Sequence, residues 1–212
     1  MSQITFPLVA EETRVRLLQP PKGKVKAVLD TDTFNEIDDQ FAVVYALLSP
    51  EKIDLQAIYA APYFNEKSTG PKDGMEKSYE EIHRILARMN VQKENFVFKG
   101  SDRYLPADKT PVMSPAAEDL VKKARACTTE EPLYVLAIGA ITNVASALLM
   151  APDIVDKIVI VWLGGHALHW PDTKEFNLIQ DVPAAQVVFD CGAAVVQLPC
   201  MGVGVHMLTT LP

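Results

Sequence analysis

Four aspartates crowd into ten residues near the start of the chain, in the segment LDTDTFNEIDD: Asp30, Asp32, Asp38 and Asp39. Two carboxylates about 4 Å apart repel each other by roughly 1 kcal/mol in water and about 4 kcal/mol at a protein-surface dielectric. The segment contains no lysine or arginine, and the preceding Lys24 and Lys26 lie on a predicted strand that directs them away. A bound hard cation is therefore the favoured counter-charge.

The spacing of the aspartates gives them different directions. Residues two apart in an extended strand point the same way, so Asp30 and Asp32 can address one site. Asp38 and Asp39 are adjacent and precede a helical pattern, so we expect them in the first turn of a helix, about 100° apart, where the helix dipole favours negative charge. The alternative for this second pair is a simple helix-capping role.

A further polar pair, Glu175 and Asn177, follows the loop GGHALHWPDTK. In an extended segment these two side chains would point to the same side. A carboxylate accepts hydrogen bonds from hydroxyl groups, and an amide both donates and accepts, so the pair suits a sugar diol. An isolated pair of this kind is also common in ordinary solvated loops.

Short apolar runs alternate with segments of helical periodicity along the whole chain. Strands are predicted at residues 25–30, 53–60, 96–99, 133–138 and 158–163. Helices are predicted from the repeats Phe41, Val44, Tyr45, Leu48 and Tyr79, Ile82, Ile85, Leu86, Met89, from the cap Ser114 with Pro115, and from TNVASALLM. The alternation predicts an α/β fold, a mostly parallel sheet with helices on both faces.

Ligands of such folds bind at the carboxyl ends of the strands. The polar segments 30–39, 60–65, 139–143 and 164–177 each follow a predicted strand, so we expect all four to meet at one edge of the sheet. Residues 1–23 end in the Pro/Gly-rich QPPKGK and are expected to form an N-terminal arm, with residues 24–212 as the α/β domain.

Composition narrows the class of partner. The chain has 212 residues, 49% of them hydrophobic, and a formal charge of −7, which argues against nucleic acid or an anionic membrane and favours a small molecule. Neither a signal peptide nor a membrane span is expected from the apolar pattern. Cys127, Cys191 and Cys200 lack CxxC spacing, so we expect a reduced, cytoplasmic setting and no cysteine metal site.

The chain resembles the inosine-uridine preferring nucleoside hydrolases in several motifs that occur in the same order. These are LDTDTFNEIDD, Asn65 after the second strand, GAITNVA, WLGG and EFNLIQDVPAAQVVFD. The resemblance runs from about residue 25 to the end. It implies a Rossmann-like nucleoside hydrolase fold, a nucleoside substrate and a homo-oligomer. The implied reaction is hydrolysis of the N-glycosidic bond to ribose and free base, with a Ca²⁺-activated water.

The resemblance also implies roles for individual residues. Asp32 would bind Ca²⁺ and act as the general base, with Asp39 and the backbone carbonyl of Ile138 as further metal ligands. Asp30 would support these groups without contacting the metal. The implied ribose contacts are Asp38, Asn65, Glu175 and Asn177, with His169 near the ribose 5′ end.

The chain departs from the family pattern in two places. The family usually has Pro-Gly and one more residue between its second and third aspartates, whereas TFNEI makes this loop two residues longer, and we expect Asn35 and Glu36 to face solvent. The sequence also stops before the region in which the family supplies another metal-binding aspartate and often a histidine that protonates the leaving base. An incomplete site with reduced metal affinity is therefore expected.

Two other functions fit parts of the sequence. A protein of the same fold could bind ribosyl ligands without turning them over, because of the altered loop or the missing C-terminal region. LDTDT also resembles the start of a haloacid-dehalogenase phosphatase, in which the first aspartate is the nucleophile and Mg²⁺ the cofactor. That family has Thr or Val where Phe34 stands and gives no role to EFN.

Overall fold

The structure, a computed structural model, describes residues 5–208. Its strands are β1 (Val25–Thr31), β2 (Ile53–Ala60), β3 (Val97–Lys99), β4 (Leu133–Ala137), β5 (Ile158–Leu163) and β6 (Ala194–Leu198). Its α-helices are α1 (Glu11–Leu17), α2 (Ile37–Leu47), α3 (Pro71–Arg88), α4 (Pro115–Arg125), α5 (Thr142–Met150), α6 (Phe176–Gln180) and α7 (Val182–Asp190). Two short 3₁₀ turns lie at Pro152–Ile154 and Gly204–His206.

The described strands form one parallel sheet in the order β3-β2-β1-β4-β5-β6. This confirms the predicted α/β architecture. The chain first winds outward from β1 to β3 and then restarts at β4 on the other side of β1. The order of the strands therefore reverses between β1 and β4, and ligands of such folds bind at this switch point, at the carboxyl ends of the strands.

Most local predictions hold because they follow from residue chemistry. The helix α4 begins as expected, since the Ser114 side chain accepts a hydrogen bond from the Ala117 backbone N–H (3.2 Å) and Pro115 occupies the first turn. The strand predictions at residues 53–60 and 158–163 match β2 and β5. The last strand, β6, has no counterpart among the predicted strands.

Helix α2 was predicted correctly from a repeat that does not mark its buried face. In that repeat, Phe41, Tyr45 and Leu48 are 67%, 72% and 68% exposed. The buried residues of α2 are Asp39, Val43 and Ala46. Both sets repeat at helical spacing, so periodicity alone does not decide between them.

The N-terminal arm contains structure of its own. Helix α1 lies within residues 1–23, and its Leu17 is 4% exposed and packs in a small cluster with Val159 of β5 and Ala194 of β6. The arm is thus attached to the far half of the sheet rather than extended away from it.

The helices and the cysteines bear on two expectations that the sequence raised, about membrane spans and about thiols. Within residues 5–208 no helix combines the length and apolar character that crossing a bilayer requires. All three cysteines are free thiols, with Cys127 and Cys191 buried. Burial raises the pKa of both buried thiols above the usual value.

The close approach of β2, Gly100 and α5 yields a test of packing. A Cβ on Gly100 would lie 2.0 Å from the Ala60 carbonyl oxygen and 2.5 Å from Asn143 Nδ2. We expect Gly100→Ala to lower the free energy of unfolding, measured in urea, by about 3 kcal/mol because backbone must shift. Gly70→Ala is the matched control, since a Cβ there meets nothing within 4 Å and should cost under about 1 kcal/mol. Equal losses in the two variants would contradict this packing.

Candidate active site

The four polar segments meet at the carboxyl edge of the sheet, as expected. Asn143, after β4, donates a hydrogen bond to Asp30 Oδ1 at the end of β1 (2.7 Å). Asn65, after β2, donates to Asn35 Oδ1 in the loop after β1 (2.7 Å). Asn177, beyond β5, reaches the backbone carbonyl of Ile138 through its Nδ2 (3.0 Å). The loops are therefore joined by amide side chains around the aspartates.

Asp32 lies at the centre of this arrangement and is 1% exposed. Its Oδ2 accepts a hydrogen bond from Asn35 Nδ2 (3.0 Å), whereas its Oδ1 is buried without a hydrogen-bond partner. A Cβ on Gly139 would lie 2.9 Å from that Oδ1, so the glycine leaves room beside it. Burial, and then the neighbouring Asp39 carboxylate, raise the pKa of Asp32 well above its usual value.

Asp39 is the second buried carboxylate, and it lies in the first turn of α2 as predicted. Its Oδ1 accepts a hydrogen bond from the Thr31 hydroxyl (2.5 Å). Burial raises the pKa of Asp39 to about 8 despite that hydrogen bond. Asp38, the adjacent residue, is exposed. The helix therefore turns one of the two aspartates into the site and the other outward.

Asp30 is fully buried behind Asp32. Its Oδ1 accepts from Asn143, its Oδ2 has no partner, and burial raises its pKa to about 7. Asn143 is itself held by Ser101, whose backbone N–H and hydroxyl both donate to the Asn143 Oδ1 (2.7 and 2.9 Å). The orientation of Asp30 is thus set by a chain of hydrogen bonds that reaches the loop after β3.

Two expectations about the acidic loop were wrong. Asn35 does not face solvent: it is 3% exposed and lies between Asp32 and Asn65. A basic residue also reaches the loop, because Lys67 Nζ donates a hydrogen bond to the Asn35 backbone carbonyl. Lys67 comes from the segment after β2, so its distance in sequence concealed it. Glu36 is exposed, as expected.

The extended geometry expected for Glu175 and Asn177 is also wrong. Glu175 is the N-cap of α6, and its carboxylate accepts from the backbone N–H groups of Gly165, Asn177 and Leu178 at 2.8, 2.9 and 2.8 Å. Asn177 lies within α6 and is buried. Its Nδ2 donates to the carbonyls of Ile138 and Leu163, both at 3.0 Å. Both residues nevertheless lie at the edge of the site.

The remaining predicted contacts lie further out. Asn65 is half-buried, and its Oδ1 accepts from the Lys67 backbone N–H (2.9 Å) while its Nδ2 reaches Asn35. His169 is exposed in the loop after β5, with its ring beside Gly202. The structure therefore buries Asp32 and Asp39 within the site, whereas Asn65 and His169 lie nearer its surface.

The acidic side chains of the site are the groups in it that could hold a divalent cation. In the described part of the chain, no three His, Cys, Asp or Glu side chains are grouped as a metal site. The Asp39 carboxylate lies near enough to Asp32 to raise its pKa, and Asp32 Oδ1 lacks a hydrogen-bond partner in the protein. Carboxylate oxygens are the ligands that hard divalent cations prefer.

Some site residues were missed or given no role at the sequence level. Asn143 stands in the GAITNVA motif, where an amide at the start of an otherwise apolar helix could have marked it. Thr31 lies between two aspartates and could have been recognised as a donor to a carboxylate. Asn35 and Lys67 carried no such signal, because their roles depend on contacts between loops that are about 30 residues apart.

The family model for inosine-uridine preferring nucleoside hydrolase matches residues 27–210. The chain therefore belongs to the inosine-uridine preferring nucleoside hydrolase family. This membership also decides against the phosphatase interpretation of LDTDT.

The curated relatives carry a related description. The pyrimidine-specific ribonucleoside hydrolase RihA of Escherichia coli O81 (strain ED1a) is 30% identical over 182 residues, which cover 75% of this chain and 55% of that protein. RihA of Enterobacter sp. (strain 638) is 28% identical over 192 residues, covering 80% of this chain and 58% of that protein. The chain thus spans slightly more than half the length of these relatives.

Solved structures agree on the fold. A purine-preferring ribonucleoside hydrolase from Gardnerella vaginalis matches with a TM-score of 0.61 and 26% identity, covering 82% of this chain and 60% of that chain. An inosine-guanosine nucleoside hydrolase matches with a TM-score of 0.62 and 21% identity, over 83% and 60% of the two chains, which shows the fold alone.

The buried acids predict how stability depends on pH without added metal. Burial raises the pKa of Asp30 to about 7 and that of Asp39 to about 8, so between about pH 4 and pH 8 the folded protein binds more protons than the unfolded chain. The free energy of unfolding should therefore fall as the pH rises through this range. For Asp30, a rise from 3.8 to about 7 corresponds to roughly 4 kcal/mol. Asp30→Asn should therefore make the decline shallower.

The measurement is urea unfolding at several pH values in the presence of a chelator. Asp108→Asn serves as the control because Asp108 is exposed. An Asp30→Asn variant that loses stability with pH as steeply as the wild type would contradict the burial of an ionising Asp30.

Proposed function

We propose that this chain hydrolyses the N-glycosidic bond of ribonucleosides, giving ribose and the free base. The observation that carries the proposal is the buried Asp32 carboxylate, which keeps one unpartnered oxygen at the switch point of the sheet in a chain of the nucleoside hydrolase family. An unpartnered buried carboxylate oxygen is costly to stability, so its retention supports a functional role.

In the proposed reaction, Asp32 acts as the general base. Its free Oδ1 accepts a proton from water as the water oxygen bonds to C1′ of the ribose and the bond between C1′ and the base nitrogen breaks. The nucleobase leaves with the bonding electron pair and takes up a proton from solvent. Positive charge develops on the sugar ring, and the surrounding carboxylates stabilise it.

Asp32, Asp39 and the Ile138 carbonyl are the residues that would hold a divalent cation, which we propose to be Ca²⁺. When bound, such a cation offsets the repulsion between the carboxylates and lowers the pKa of a bound water. The chain's own residues keep the ionised carboxylates oriented: Thr31 holds Asp39 and Asn35 holds Asp32. Around them, Asp38, Asn65, Glu175, Asn177 and His169 are the proposed ribose contacts.

The first test is release of reducing sugar from a panel of purine and pyrimidine nucleosides, including inosine and uridine, with added Ca²⁺. Asp32→Asn removes the proton acceptor while keeping its shape, so we expect turnover to fall at least 100-fold, in line with the lower bound of about 10²-fold for general-base catalysis. The exposed Asp108→Asn variant should retain wild-type turnover.

The outcomes separate the alternatives. Binding of nucleoside or ribose by the wild type without sugar release would identify a ribosyl-binding protein instead of an enzyme. Unchanged turnover in Asp32→Asn would remove Asp32 from the role of base.

A second test addresses the cation directly. We expect Asp39→Asn to weaken Ca²⁺ binding roughly tenfold or more, because the shell loses a charged ligand. Isothermal titration calorimetry with Ca²⁺ measures this in the absence of substrate, with Asp108→Asn again as the control. Equal affinities in wild type and Asp39→Asn would exclude Asp39 as a ligand.

A further inference from the structure

The loop that is two residues longer than the family pattern delivers one side chain into the site. Asn35 ends a turn that begins at Asp32, because its backbone N–H donates to the Asp32 carbonyl (2.7 Å). The turn folds the Asn35 side chain back over Asp32, and the residue is 3% exposed. The additional residues therefore change the interior of the site and not only its rim.

Each of the four polar atoms of Asn35 has a partner. Besides its backbone N–H, its Nδ2 donates to Asp32 Oδ2 (3.0 Å) and its Oδ1 accepts from Asn65 Nδ2 (2.7 Å). Its carbonyl oxygen accepts from Lys67 Nζ. A buried residue with all its polar atoms engaged has little freedom to rotate, so it can hold its neighbours in fixed orientations.

The two carboxylate oxygens of Asp32 therefore have different surroundings. Oδ2 is held by Asn35, and Oδ1 is left buried and unpartnered on the side of Gly139. A freely rotating carboxylate would exchange these two positions. Asn65 is fixed in the same way, because its Nδ2 is bound by Asn35 and its Oδ1 accepts from the Lys67 backbone N–H.

We propose that Asn35 is a positioning residue, which orients the Asp32 carboxylate and the Asn65 amide relative to each other. The inference rests on the proposed function and adds to it a residue of the elongated loop. Asn35 itself does not contact the reacting atoms in this assignment. The Lys67 side chain donates a hydrogen bond to the Asn35 carbonyl, which joins the loops after β1 and β2 at the site.

Two substitutions separate the two contacts. Asn35→Ala removes both, whereas Asn35→Asp keeps an oxygen that can accept from Asn65 but loses the donor to Asp32. Partners that orient a functional carboxylate typically contribute about 10- to 100-fold to activity or metal affinity. We therefore expect kcat to fall by about 10- to 100-fold in both variants, and KM to rise clearly only in Asn35→Ala.

The experiment measures kcat and KM for inosine and uridine, Ca²⁺ affinity by calorimetry, and secondary structure by circular dichroism. Gln92→Ala, which removes an exposed amide far from the site, should match the wild type. A double variant of Asn35→Ala with Asn65→Ala should raise KM no further than Asn65→Ala alone, because the two residues act as a pair. If Asn35→Ala fails to fold, the kcat of Asn35→Asp tests the inference by itself.

Wild-type kcat and KM in both Asn35 variants would overturn the inference while leaving the proposed function intact, as would an Asn35→Asp variant with wild-type kcat. A wild type that releases no sugar would overturn the proposed function. Ca²⁺ binding then tests Asn35 by itself: weaker binding in both variants supports the positioning role. Unchanged binding, or no binding by the wild type, overturns it.

Discussion

The burial of three carboxylates at the end of one strand is the constraint on which the rest of the site depends. Asp30, Asp32 and Asp39 are each at most 5% exposed, and two of their oxygens have no hydrogen-bond partner. Removing such groups from water is costly unless they are neutralised or paired. The surrounding amides and hydroxyls orient these carboxylates, and the glycines leave room for them, but these neutral groups do not neutralise their charge when the carboxylates are ionised.

The fold makes this arrangement possible by bringing short polar segments to one place. The parallel strands β1, β2 and β4 end side by side, so the residues that follow them meet without long connections. Close approach then depends on small residues, since a Cβ on Gly100 or Gly139 would collide with Ala60 or Asp32. Amide side chains join the segments, with Asn143 bonded to Asp30 and Asn65 bonded to Asn35.

The candidate site was predictable where a role depends on neighbours in sequence. The cluster of aspartates, its place at a strand end and the position of Asp38 and Asp39 in the first turn of a helix follow from strand and helix periodicity. Prediction failed where a side chain's partner comes from a distant segment, as for Asn35, or where two helix faces are both apolar, as for α2. Glu175 and Asn177 were placed correctly at the edge of the site, but the local conformation was a helix start instead of a strand.

What the sequence by itself determined is the α/β alternation, the cluster of acids after the first strand and the family to which these motifs belong. These depend on residue type and on spacing over a few positions, which local geometry decides. Only the tertiary structure decided which oxygens of the acids are satisfied, which face of α2 packs on the sheet, and that Lys67 reaches the acidic loop. Those outcomes depend on contacts between segments far apart in the chain, and packing and burial select them only once all the strands are in place.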